Sequence, residues 1–132
     1  MADLTESTFA AWLDRYKAAW EEGDPGAAAA LFSVDAVNVE TSFDEPLRGR
    51  EAIRAYRNEG AALAQRDVRF SYEIAAVVGD VGLSQWHCVF TRVASGETVE
   101  LDGTFRCTFD DDGLCSRFQE WWHRRTIGAL PR

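Results

Sequence analysis

Apolar residues recur at helical spacing near the start of the chain. Between residues 7 and 22 a large apolar side chain appears every third or fourth position, so these side chains share one helix face. Ser7 or Thr8 is the predicted N-cap, and the helix is expected to end at Glu22, before a Gly-Asp-Pro-Gly turn. The residues that form the apolar face are Phe9, Trp12, Leu13, Tyr16 and Trp20.

Two further helices and one strand are predicted before residue 66. A short helix is expected at 27–32, a strand at 36–43, and a third helix at 50–65. Pro46 lies between the strand and the third helix, where a turn is expected. The side chains of the third helix predicted to face inward are Ala52, Ile53, Tyr56, Gly60 and Leu63.

The pattern changes to alternation in the second half of the chain. Four runs of alternating apolar and polar residues are separated by short turns rich in Gly or Asp, which is typical of an antiparallel meander. Helices followed by such a sheet predict an α+β fold, with the helices packed in the hollow of a curved sheet and a pocket between the two. The predicted strands are 68–78, 81–93, 97–109 and 114–124.

The amino-acid composition limits the classes of partner that the protein is expected to bind. The 132 residues carry 14 basic and 22 acidic side chains, a net charge of −8, which argues against binding nucleic acid through its phosphates. No apolar run is long enough for a membrane span, so no membrane partner is expected. The N-terminus lacks the pattern of a secretory signal, and the three Cys show no ligand spacing. A cytoplasmic protein without metal or cofactor is therefore expected.

The order of several short motifs resembles the nuclear transport factor 2-like superfamily, in its SnoaL-like and ketosteroid-isomerase-like branch. The resemblance implies a cystatin-like α+β barrel, in which a cone-shaped, mixed, mainly antiparallel sheet wraps around three N-terminal helices. It implies one domain over 1–132, with a core at 7–124, a short tail at 125–132, and homodimerisation. The motifs are Arg15-Tyr16, Ala18-Ala19, Gly23-Asp24, Ala30-Leu31-Phe32, Asp35-Ala36-Val37, Arg48-Gly49, Glu51-Ala52-Ile53, Phe109 with Gly113, and Glu120-Trp121-Trp122.

The resemblance also implies catalytic positions. Tyr16 falls where the isomerases have a hydrogen-bond donor, and Glu40 falls where they have the carboxylate that moves the proton. Their second oxyanion donor is replaced here by Phe105, which argues against a steroid isomerase. Arg57, next to Tyr56 on the third helix, falls where the isomerases have a second Tyr that supports the first. Arg57 could instead neutralise Glu40 or Glu120.

Strand alternation extends the candidate site. If Phe105 faces the hollow, alternation and the resemblance bring Glu120 into the same pocket, and burial would then raise the pKa of at least one carboxylate toward neutrality. On the strand at 81–93 the bulkier set faces inward, although a slip of one residue would bring in His87 instead. Trp121 would lie on the outer face, where a dimer interface would cover it. The predicted ligand-binding residues are Trp12, Tyr56, Arg57, Trp86, Phe105, Phe118 and Trp122.

These residues leave two functions open. The first is binding and acid/base conversion of a small, mostly apolar carbonyl compound by a cofactor-independent isomerase, cyclase or dehydratase. Glu40 would be the base, Tyr16 the oxyanion donor, and Glu120 or Arg57 the group that orients the substrate. The alternative is a non-catalytic ligand carrier or oligomerising accessory domain. An epoxide hydrolase of this fold would need an Asp-Arg-Asp set, which the chain does not offer.

Overall fold

A long helix begins the part of the chain that can be described. The computed structural model describes residues 3–128, and helix α1 spans Glu6–Glu22. Its N-cap is Thr5 rather than Ser7 or Thr8: the Thr5 side chain accepts a hydrogen bond from the Thr8 amide at 3.0 Å. The Thr8 hydroxyl in turn accepts one from the Thr5 amide at 3.0 Å, so the two residues form a capping box. Gly23 ends the helix in the left-handed region at φ 65°.

The second helix is shorter than predicted, and the first strand starts earlier. Helix α2 spans Pro25–Ala29, capped by the Asp24 side chain. Strand β1 spans Phe32–Val39, not 36–43. The Leu31 carbonyl already accepts a hydrogen bond from Cys115 at 2.9 Å, so the chain has joined the sheet where the helix was expected to continue.

Strand β2, Leu47–Arg48, precedes helix α3 at Arg50–Arg57. The predicted α-helix to residue 65 is wrong in its second half, because the chain forms a π-helical turn at Asn58–Ala62. This wider turn rotates the following side chains around the axis, since its hydrogen bonds span five residues instead of four. Leu63, predicted to face inward, is consequently 64% exposed.

Four long strands complete the sheet: β3 at Gln65–Val78, β4 at Val81–Arg92, β5 at Thr98–Phe109 and β6 at Cys115–Gly128. The strand order is β2-β1-β6-β5-β4-β3, and every neighbouring pair is antiparallel except β1 with β6. This curved, mixed sheet and the N-terminal helices confirm the predicted α+β architecture. Residues 125–128 continue β6 beside β5 and are not a tail; residues 129–132 lie outside the described part.

Aromatic side chains form the core between α1 and the sheet. Tyr16 and Phe105 are almost completely buried, with ring centroids 5.4 Å apart in an edge-to-face arrangement. Gly103 on β5 is required by close packing, since a Cβ there would lie 2.1 Å from the Trp121 carbonyl oxygen. This close approach of β5 to β6 lies beside the positions of Glu120 and Trp122.

None of the helices within residues 3–128 is long and apolar enough to cross a membrane.

Candidate functional site

A cavity of about 180 Å³ lies between the helices and the inward face of the sheet. One wall comes from α1, α3 and the π-helical turn, and the other from β4, β5 and β6. Strand alternation explains the second wall, because every other side chain of these strands points into the hollow. The lining residues are Trp20, Glu40, Tyr56, Arg57, Gly60, Ala61, Gln65, Trp86, Phe90, Arg92, Leu101, Glu120, Trp122 and Arg124.

Glu120 is the most perturbed carboxyl group of the cavity. It lies on β6, partly buried, and Asn38 of β1 donates a hydrogen bond to it over 3.2 Å. Burial raises the pKa of Glu120 to about 7; the charge of Arg57 opposes this shift, and that of Glu40 adds to it. At neutral pH the carboxyl group is therefore divided between its two protonation states, which suits a group that both accepts and returns a proton.

Arg57 supplies a buried positive charge beside this carboxyl group. The residue is 7% exposed, and its guanidinium lies 4.8 Å from the centroid of the Tyr16 ring. It donates a hydrogen bond to the Tyr16 hydroxyl. Although burial works against the charge, Tyr16 and Glu120 raise the pKa of Arg57 above its ordinary value, so it stays protonated. Its Nε atom has no hydrogen-bond partner in the described structure.

Glu40 and Tyr56 form the other polar part of the cavity. Glu40 directly follows β1, and Tyr56 lies in the last turn of α3. Burial and then the neighbouring Glu40 carboxylate raise the pKa of Tyr56, so its hydroxyl keeps its proton. Tyr56 is thus a neutral hydrogen-bond donor on the wall of the cavity, close to a carboxylate.

The structure brings together six of the ten predicted site residues. Glu40, Glu120, Tyr56, Arg57, Trp86 and Trp122 all line the cavity. The other four, Tyr16, Trp12, Phe105 and Phe118, do not line it.

These four lie in the aromatic core, each no more than 2% exposed. Burial raises the pKa of Tyr16, although the Arg57 charge lowers it in part, so the hydroxyl stays protonated behind Arg57. The indole N–H of Trp12 donates to the Leu31 carbonyl over 3.0 Å. Phe105 stacks on Trp86 with ring centroids 4.7 Å apart.

Several lining residues were not predicted from the sequence. Arg92 and Arg124 follow Phe90 and Trp122 by two positions, so continuing the inward alternation toward the strand ends would have found them. Asn38 precedes Glu40 by two positions on the same face of the chain, and it is 1% exposed. Gln65 had no such signal, because the π-helical turn decides where β3 begins.

The orientation of β4 is also settled. Trp86 is 3% exposed and faces inward, whereas the side chain of His87 is 39% exposed on the outer face, next to Glu100. Within residues 3–128 no group of three or more His, Cys, Asp and Glu side chains is placed to hold a metal ion. The polar groups that line the cavity are carboxyl, guanidinium, phenol and indole groups and the carboxamide of Gln65.

Comparison with solved structures shows the fold. The crystal structure of RV0760c from Mycobacterium tuberculosis matches with a TM-score of 0.78 and 18% identity, over 93% of this chain and 98% of that one. SalBIII, an epoxide hydrolase/cyclase-like enzyme of pyran ring formation in salinomycin, matches with a TM-score of 0.77 and 18% identity, over 89% of this chain and 92% of that one. A type 2 hexachlorocyclohexane dehydrochlorinase matches with a TM-score of 0.76 and 11% identity, over 94% of this chain and 89% of that one.

Comparison of sequences shows the family. No curated protein sequence matches the chain. A family model described as a SnoaL-like domain matches residues 13–118, which run from within α1 through α3 and β5 to the start of β6 and include several of the cavity-lining residues. The chain therefore belongs to the SnoaL-like domain family.

Proposed function

We propose that the protein is an acid/base catalyst that acts without a cofactor on a small, mostly apolar carbonyl compound, with Glu120 as the group that moves the proton. The observation that carries this proposal is a carboxyl group with a pKa of about 7 in a cavity it shares with a buried Arg and a second carboxylate. A base that titrates near neutral pH serves proton transfer best, because it is both available and strong enough. The proposal moves the role of base from Glu40 to Glu120.

The reaction begins when ionised Glu120 takes a proton from the carbon next to the carbonyl group. The electron pair of the broken C–H bond moves toward the carbonyl oxygen, which becomes an enolate oxyanion. The charge of Arg57 and the hydroxyl of Tyr56 stabilise this oxyanion, since both line the cavity. Where the substrate carries a β,γ double bond, Glu120 returns its proton to the γ-carbon of the dienolate, which completes an isomerisation. Where it carries a β-hydroxyl group, that group takes the proton from Glu120 and leaves as water, which completes a dehydration.

Other residues act through these groups. Tyr16, expected to be the oxyanion donor, accepts a hydrogen bond from Arg57 and so orients the guanidinium. Asn38 donates to a Glu120 oxygen, which limits the directions in which the carboxyl group can point. The charge of Glu40 raises the pKa of Glu120 and is thereby part of the tuning of the base.

The structural neighbours are consistent with this chemistry. Their printed titles describe a cyclase-like enzyme, a dehydrochlorinase and, for a further match from Bacillus subtilis at 15% identity, a putative isomerase. Sequence identities of 11–18% indicate a shared fold but not a shared substrate, so the proposal rests on the cavity itself.

A non-catalytic ligand carrier is the second candidate. Phe105, fully buried, occupies the position at which the isomerases resembled by the sequence have a second oxyanion donor. A carrier would bind the same apolar compounds but would show no proton transfer.

Exchange of deuterium into a carbon acid separates the two candidates. We expect the protein to accelerate exchange of the α-protons of 2-tetralone in D2O at pH 7, followed by proton NMR. Glu120→Gln should lower the rate by about 10²-fold or more, because general-base catalysis is removed. Glu73→Gln, a matched change at an exposed carboxylate of β3, should leave the rate unaltered.

Wild-type exchange no faster than that of Glu120→Gln would favour the carrier. A larger loss in Glu40→Gln than in Glu120→Gln would instead return the role of base to Glu40.

A further inference from the structure

Two arginines stand at the end of the cavity away from Glu120. Arg92 closes the inward face of β4, and Arg124 lies on the inward face of β6, four residues beyond Glu120. Leu101 of β5 pairs with Arg124 of β6 and with Cys88 of β4, four residues before Arg92, and it lines the same cavity. At about 3.3 Å per residue, the backbone positions of Glu120 and Arg124 are roughly 13 Å apart. The cavity therefore has a carboxyl end and a guanidinium end.

The two arginines are available to a ligand. Within residues 3–128, neither Arg92 nor Arg124 has a salt bridge or a side-chain hydrogen bond. The guanidinium of Arg92 lies over the Phe90 ring, 5.7 Å from its centroid, which leaves its N–H groups unpaired. Arg57, by contrast, is already engaged by Tyr16. Two planar donor groups on alternate strands can grip one carboxylate with several charge-assisted hydrogen bonds.

The local charge is opposite in sign to that of the whole protein. The cavity is lined by three arginines and two glutamates, in a chain whose net charge is −8. Because Glu120 is partly protonated near neutral pH, the lining carries a net positive charge. A cationic cavity in an acidic protein favours an anionic ligand and repels a cationic one.

The wall between the two ends is apolar. Trp122 separates Glu120 from Arg124 along β6 and pairs with Gly103 of β5, which pairs in turn with Trp86 of β4. Leu101 and Phe90 line the same cavity. A ligand that reaches both ends must therefore have an apolar middle section that packs against these side chains.

We propose that the natural ligand is a small amphipathic organic acid, whose carboxylate is bound by Arg92 and Arg124 and whose apolar body extends along Trp122 toward Glu120. The assignment of a reacting carbonyl to the Glu120 end rests on the proposed function. The anion-binding end stands on the two arginines alone.

Calorimetric titration with an acid and its neutral amide tests the proposal. We expect 1-naphthylacetate to bind about tenfold more tightly than 1-naphthylacetamide, which has the same shape without the charge. Arg92→Gln and Arg124→Gln should each weaken binding of the acid, and the double variant should bind acid and amide equally. Arg106→Gln, which removes an exposed arginine on the outer face of β5, is the matched control and should bind like the wild type.

Raising the salt concentration should narrow the difference between acid and amide, because the guanidinium end is open to solvent. Equal affinities of acid and amide in the wild type would overturn the proposal. The absence of detectable binding of the acid at millimolar concentration would overturn it as well, and so would an unchanged preference in the double variant.

This test is separable from that of the proposed function. Glu120→Gln should keep the preference for the acid, since the changed residue lies at the other end of the cavity. A preference for the acid without α-proton exchange would support the anion-binding site and contradict the proposed catalysis. Exchange without the preference would support the catalysis and contradict the anion-binding site.

Discussion

At the scale of the residue, the ionisation of Glu120 depends on its neighbours. The pKa of a glutamate carboxyl group in water is about 4.5, whereas burial, reinforced by the charge of Glu40, raises the pKa of Glu120 to about 7. Arg57 limits the shift without cancelling it. Burial, one guanidinium and one neighbouring carboxylate thus set the pH at which Glu120 ionises.

Carbon-13 NMR titration of the glutamate carboxyl groups measures this ionisation directly. We expect one glutamate of the wild type to have a midpoint near 7, and that signal to be missing in Glu120→Gln. In Glu40→Gln the midpoint should move down, because the negative charge that disfavours ionisation is gone. Glu73→Gln should leave it in place. A set of glutamates that all titrate below pH 5 would contradict the perturbed environment of Glu120.

Tyr16 shows where reasoning from single residues was limited. The resemblance placed a hydrogen-bond donor at this position, and the structure places its hydroxyl against Arg57 in the core. The residue that faces the cavity from the helical side is instead Arg57, together with Tyr56. A charged side chain that is 7% exposed is rare, and no local pattern signals it.

At the scale of the element, the ends of the helices follow capping chemistry more closely than apolar spacing. The apolar face of α1 was predicted correctly, whereas its N-cap was placed two or three residues too late. Thr5 and Thr8 exchange hydrogen bonds with each other's backbone amides, and Ser7 takes no part in them. The reciprocal pair marks the start of the helix.

Substitution of the cap tests this assignment. We expect Thr5→Ala to lower the free energy of unfolding by about 1 kcal/mol, since an amide at the helix start loses its acceptor. Ser7→Ala, at an exposed position inside the helix, should be neutral or slightly stabilising because Ala is the better helix former. Urea denaturation followed by circular dichroism measures both. The opposite order of the two effects would restore Ser7 as the cap.

The strands were predicted more accurately than the turns between helix and sheet. Alternation placed Trp86 on the inward face, and the family resemblance placed Phe118, Glu120 and Trp122 there; the structure has all four on that face. It did not reveal that α3 changes into a π-helical turn, because this change depends on how the chain packs and not on its local apolar spacing. That turn brings Gly60 and Ala61 to the cavity and moves Leu63 to the surface.

At the scale of the whole molecule, the perturbed carboxyl group links stability to pH. The folded protein binds the Glu120 proton more tightly than the unfolded chain does, because the pKa of Glu120 is raised to about 7. The stability associated with this proton is therefore fully present below the ordinary carboxyl pKa, and it is lost as the pH rises through 7.

Comparison of variants isolates this contribution. As the pH rises from 4 to 8, the wild type should lose stability that Glu120→Gln keeps, since Gln cannot ionise. We expect the free energy of unfolding of Glu120→Gln, relative to that of the wild type, to be roughly 1–3 kcal/mol higher at pH 8 than at pH 4. The free energy of unfolding of Glu73→Gln should change with pH over the same range as that of the wild type does. Urea denaturation at a series of pH values provides the measurement. A constant difference between Glu120→Gln and the wild type would show that Glu120 titrates alike in the folded and unfolded chains.

Homodimerisation through the outer face of the sheet stays a prediction. Trp121 is 45% exposed there, as the alternation of β6 requires. Homodimerisation through this face, which the resemblance implies, would cover it. The acid/base cavity lies on the opposite face, so the proposed function does not depend on the dimer.

The sequence by itself determined the α+β fold and the order of the main elements, which follow from local periodicity that short stretches of chain carry on their own. The order of its short motifs carried the family resemblance, and that resemblance, together with strand alternation, placed Glu40 and Glu120 in one pocket. Only the tertiary structure decided that Tyr16 is buried behind Arg57, that Asn38 holds Glu120, and that two unpaired arginines stand at the other end of the cavity. Burial, charge coupling and cavity shape depend on residues far apart in the chain, so no local pattern contains them.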